Sequence, residues 1–112
     1  GQWCAPCRSE SDDLQRVHEK LQEDEAGTVF GINVRDYNPQ ISRDFKEDNG
    51  LEYPSIYDPP FKTAAALGGV PTAVVPTTIV LDKQHRPAAV FLREITDQDL
   101  LEVVEELEQE SA

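Results

Sequence analysis

The sequence predicts an α/β fold: a three-layer sandwich with helices on both faces of a mixed β-sheet. Three observations carry this. Apolar residues recur at helical spacing near both ends of the chain: Leu14, Val17 and Leu21, then Leu100, Val103, Val104 and Leu107. Two β-branched, mostly apolar runs, 28–34 and 74–82, read as buried strands. A helical segment precedes the first of these runs, and helix–strand alternation favours parallel pairing in a layered α/β domain.

The elements follow in order. A helix is expected from Pro6 to about Glu25, closed by Gly27. Thr28 to Val34 follows as a strand. Asn38-Pro39 has the form of an N-cap and first helical residue, with Ile41 and Phe45 on one face and Asn49-Gly50 as the stop. Leu51 to Tyr57 reads as a short strand interrupted by Pro54, and Lys62 to Leu67 as one or two helical turns closed by Gly68-Gly69. Val74 to Asp82 is the strongest strand signal. A polar turn, Lys83 to Pro87, joins it to Ala88–Leu92 as a β-hairpin. Thr96 with Asp99 three residues on forms a variant capping box for a final amphipathic helix. Glutamates crowd the end of that helix and oppose its dipole, so its last turn is expected to fray.

Composition sets the outer bounds. The 112 residues suffice for a single domain, 1–112, with one core. The formal net charge of −12 repels phosphate backbones and argues against nucleic-acid binding. No apolar run approaches the roughly 20 residues that a membrane span needs.

The chemistry concentrates in the opening residues, GQWCAPCRSE, which hold both cysteines. Cys4 is placed at a helix start, where unpaired N–H groups and the positive end of the dipole converge. Both favour a thiolate and lower a cysteine pKa from about 8.5 toward roughly 3.5–7.5. Cys7, one turn on, is placed to resolve a mixed disulfide, and is expected to be the more buried of the two. Pro6 suits a first turn that needs no N–H. Two rivals fit less well. Structural zinc needs four ligands, and the remaining candidates, His18 and His85, are far apart, so no metal is expected. His18 is read as a partly exposed helix residue. An inert structural disulfide would close a very short loop and constrain the unfolded chain little.

WCAPC at a helix start, with VVPTTIVLD about seventy residues on and a hairpin before a final amphipathic helix, resembles the thioredoxin superfamily. Within it the chain looks like the TlpA/ResA-like thiol–disulfide oxidoreductases. The resemblance implies catalysis by Cys4 and Cys7 through a redox-active disulfide, with no other cofactor. It implies a cis bond before Pro76, which packs on the disulfide, while Val75 offers its backbone to an extended substrate. Trp3, Ala5 and Pro6 would shape the site, and Asp36 would adjust the cysteine pKa values. The turn departs from the family in placing His85 where glycine is usual, so His85 is expected to take a left-handed backbone.

The resemblance further implies protein disulfide or dithiol substrates, with apocytochrome c among the candidates, and a membrane or soluble thiol reductant as electron source. The implied role is reductive, outside the cytoplasm, in a protein that is anchored or secreted. In relatives an apolar strand runs into the Trp-Cys motif, and this chain lacks it. A longer, natural N-terminus is therefore expected, with the slot otherwise filled by a rearranged segment or by self-association with another copy. The alternative function is a non-catalytic thioredoxin-like binding module or an inactive fragment.

Overall fold

A computed structural model describes residues 3–35, 38–67 and 75–110. Its first helix, α1, spans Ala5–Glu23. Cys4 is the N-cap, and its sulfur accepts the Cys7 N–H. The helix ends at Asp24, before Gly27; Glu25 takes the left-handed backbone (φ 52°) instead of a glycine. Strand β1 (Gly31–Asn33) is shorter than the expected 28–34 run. Helix α2 (Pro39–Asp48) begins as predicted, with the Asn38 side chain accepting from Gln40 and Ile41 N–H. It stops at Asn49, and Gly50 supplies the left-handed turn (φ 62°).

Strand β2 (Ser55–Tyr57) pairs parallel with β1, Ile32 opposite Ile56. Gly31 permits the close approach, because a Cβ there would lie 2.5 Å from the Ser55 Oγ. A 3₁₀ helix, Lys62–Leu67, follows. Asp58 caps it by accepting from the Lys62 and Thr63 N–H groups and from the Thr63 hydroxyl. Gly68, Gly69 and Val74, which the sequence places at element ends, lie outside the described residues.

Strands β3 (Thr78–Leu81) and β4 (Pro87–Phe91) form the predicted antiparallel hairpin. Its turn is held by Asp82, whose carboxylate accepts from the Gln84 and Arg86 N–H groups, and His85 is left-handed (φ 62°) as expected. Helix α3 (Asp97–Glu108) opens with a full capping box between Thr96 and Asp99.

The core lies where α1 and α3 pack over the hairpin. Val17 and Leu21 meet Val80, Ile95 and Leu100, all buried. Polar groups on α1 fix this junction: Glu10 accepts the Ile95 N–H, and Asp13 accepts the Asp97 N–H while Arg16 pairs with both Asp13 and Asp97.

Strand directions are mixed, as the sequence predicts, but the strands form two separate pairs, β1–β2 and β3–β4. Between them runs a cleft of about 760 Å³. Leu14, Val17 and Leu21 of α1 line it with Leu100, Val104 and Leu107 of α3, and β1 and β3 form its walls. Among the described residues no rearranged segment bridges the two pairs. On the β1 wall the buried Asn33 Oδ1 has no hydrogen-bond partner.

Candidate active site

The site is built on the first turn of α1. Cys4 and Cys7 are joined in a disulfide, with their Cα atoms 5.2 Å apart. The Cys7 N–H points at the Cys4 sulfur, 3.3 Å away. That is one of the unpaired amides a helix start presents, and it is aimed at the atom that would carry negative charge after reduction. Pro6 removes an N–H that has no helical acceptor there.

The relative burial of the two cysteines is the reverse of the expectation. Cys4 is 5% exposed, and Cys7 is half-buried. Cys7 borders the cleft between β1 and β3.

Trp3 stands beside Cys4 and is 39% exposed. Its indole N–H donates to the Val34 carbonyl (3.1 Å), tying the motif to the end of β1. The Arg35 guanidinium lies over the Trp3 ring, 5.7 Å from its centroid. Ala5 and Pro6 are exposed at the rim. The Val75–Pro76 bond is cis, Pro76 is buried and Val75 half-buried, and both line the same cleft as Cys7. Asp36, the acidic residue expected to tune the cysteines, lies outside the described residues.

Sequence reasoning did not single out Glu10. It follows Cys7 by three residues on α1, is 4% exposed and lines the cleft. Burial pushes its carboxyl up from 4.5 to about 7, against the pull of the Ile95 N–H and with help from the charges of Glu94 and Asp13. The Cys4, Cys7, Glu10 spacing was the available signal: three residues per step keeps all three on neighbouring turns of one helix.

His18 also departs from its reading. It is buried, its Nδ1 accepts the Val29 N–H (3.3 Å), and it meets Tyr53 edge-on. Its buried setting makes it a packing residue between α1 and Tyr53.

The comparisons with known proteins agree with this geometry. The AhpC/TSA family model matches residues 1–86. This chain belongs to the AhpC/TSA family. It is 70% identical to a secreted thiol-disulfide isomerase from Corynebacterium glutamicum, covering 98% of this chain and 67% of that one, with a TM-score of 0.92. A DsbF homologue from Corynebacterium diphtheriae is 75% identical over 96% of this chain and 67% of its own, with a TM-score of 0.90. Thiol-disulfide oxidoreductase ResA of Geobacillus thermodenitrificans (strain NG80-2) is 24% identical over 107 residues. The chain spans 96% of itself in that match but 59% of ResA. The fold of this AhpC/TSA member is therefore thioredoxin-like, and its cysteine pair occupies the helix start that the resemblance implied.

Proposed function

We propose that this chain is a protein thiol–disulfide oxidoreductase acting through Cys4 and Cys7. The observation that carries the reading is the disulfide at the start of α1, with the Cys7 N–H directed at the Cys4 sulfur. In the reduced protein the Cys4 thiolate attacks one sulfur of a substrate disulfide and the other leaves as a thiolate. The Cys7 thiol then loses its proton and attacks the Cys4 sulfur. The second substrate thiol is released and the Cys4–Cys7 disulfide remains. Two electrons pass to the substrate, and no cofactor beyond the dithiol takes part.

Val75, ahead of the buried Pro76, offers backbone to an extended substrate segment, as a short strand added at the rim. Trp3, Ala5 and Pro6 form the apolar surface that the segment crosses.

The pathway reading is a reductant outside the cytoplasm, secreted or anchored, with apocytochrome cysteines as one substrate and a thiol reductant as donor. The name of the secreted-isomerase relative supports the location outside the cytoplasm. Isomerase chemistry would use the same Cys4 attack.

One observation favours the alternative, a binding module that does not turn over: Cys7 is the more open sulfur. A single experiment separates the two. Alkylation of the reduced protein is followed against pH, and Cys7→Ser is incubated with a disulfide peptide. A working centre shows Cys4 titrating below the ordinary thiol value of about 8.5 and a trapped mixed disulfide at Cys4. An ordinary thiol with no trapped adduct assigns the binding role.

A further inference from the structure

We propose that Phe61 selects substrates that carry a large apolar side chain beside the reactive cysteine, a preference that rests on the redox reading above and extends it.

Phe61 is a bulky residue in a left-handed backbone (φ 56°). That region crowds a Cβ against the following carbonyl, and glycine enters it freely. The turn around it needs no aromatic ring. Pro59 and Pro60 fix their own φ angles ahead of it. The Phe61 N–H donates to the Asp58 carbonyl (2.9 Å), and the Asp58 carboxylate caps the 3₁₀ helix that follows. Nor does the ring belong to the hydrophobic core: Phe61 is half-buried and lies outside the cluster around Val17. A strained backbone that neither local bonding nor the core requires points to the position of its side chain as the reason for it.

That position is beside the disulfide. Trp3, next to Cys4, donates its indole N–H to the Val34 carbonyl (3.1 Å), and the Arg35 N–H donates to the Pro59 carbonyl (2.8 Å). These bonds tie the turn that carries Phe61 to the start of α1. Phe61 then lines the cleft together with Cys7, Val75 and Pro76. A side chain that enters here from a segment laid along Val75 meets mainly apolar surface. Arg8 and Thr77 line the cleft too, and each is already engaged in an interaction of its own. A charged side chain would give up hydration against these walls, whereas an apolar one gains by leaving water.

The test compares three peptides, each carrying its cysteine as a mixed disulfide with a chromogenic thiol. They differ only in the residues on either side of that cysteine, which are Leu, Ala or Ser. Attack by the Cys4 thiolate of the reduced protein joins the peptide to Cys4 and releases the chromogenic thiolate, which times the exchange. The Leu peptide should react about three- to tenfold faster than the Ser peptide, the range expected when part of a leucine side chain leaves water, with Ala between them. In Phe61→Gly the Leu:Ser ratio should fall to about one, while the urea midpoint stays level or rises because glycine suits the backbone. Phe61→Leu should keep part of the ratio. Ile41→Ser, on the exposed face of α2 and outside the cleft, should keep all of it.

Equal Leu and Ser rates in the parent, a ratio unchanged in Phe61→Gly, or a ratio lost in Ile41→Ser would each overturn the proposal. A ring that only anchored its turn would lower the midpoint in Phe61→Gly and slow all three peptides alike, which would overturn it too. Exchange with none of the peptides in the parent would bring down the redox reading itself, and this inference with it.

Discussion

Glu10 shows how one side chain links the site to the stability of the molecule. Its carboxyl is buried below Cys7 and holds the Ile95 N–H across 85 residues of chain. Its folded pKa of about 7 lies above the ordinary carboxyl value of 4.5. A raised pKa means that the folded state binds the proton more tightly than the unfolded state does. The contribution of Glu10 is therefore full below about pH 4.5 and is lost as pH rises through about 7. Glu10→Gln keeps an acceptor for Ile95 and removes the titration. Urea unfolding of the oxidised protein at intervals from pH 4.5 to 8 should show a downward slope in the parent that flattens in this variant. An equal slope in both would remove Glu10 from the account.

At the scale of elements, the caps and turns make separable contributions. Thr96 accepts the Asp99 N–H, and the Asp99 carboxylate accepts the Thr96 N–H in return. Thr96→Ala leaves the Asp99 amide unpaired at the start of α3, and should cost about 1 kcal/mol in chemical denaturation. The β3–β4 turn holds the opposite opportunity. His85 sits at φ 62°, where a Cβ crowds the following carbonyl and glycine does not. His85→Gly should therefore raise stability, by up to about 1 kcal/mol after the added freedom of the unfolded chain is subtracted. A loss in the same assay would show that the histidine ring contributes more than its backbone strain costs.

The whole molecule carries two opposing pH responses. The Thr63 N–H holds the Asp58 carboxyl below the usual carboxylate range, and the Arg86 N–H does the same for Asp82 and the Thr96 N–H for Asp99. Depressed carboxyls stabilise the fold above the ordinary aspartate value of 3.8, and that contribution fades as pH falls further. Glu10 pulls the other way from 4.5 upward. Self-repulsion among the charges summing to −12 grows over the same upper range. The melting temperature should accordingly peak on the acid side of neutrality, at about pH 4–5. A maximum at pH 7 or above would mean that the carboxylate caps outweigh both Glu10 and the net charge.

The sequence by itself determined what depends on neighbours within a few residues. Asn38-Pro39 and the Thr96–Asp99 box start helices because a side-chain oxygen reaches an amide two or three residues away. The hairpin at residues 82–87 closes through Asp82 for the same reason. The cysteine pair was legible too, since a Cys-x-x-Cys at a helix start sets its own geometry. Tertiary structure decided what depends on distant partners. Glu10 and His18 look like ordinary surface residues of an amphipathic helix, and they are buried only because Ile95 and Tyr53 come from other parts of the chain. Cys4 is buried, while Cys7 borders the cleft between the two strand pairs, whose walls come from far along the chain. Local pattern sets which atoms can bond within a turn; burial, and with it the protonation and access of the site, is set by what packs from far along the chain.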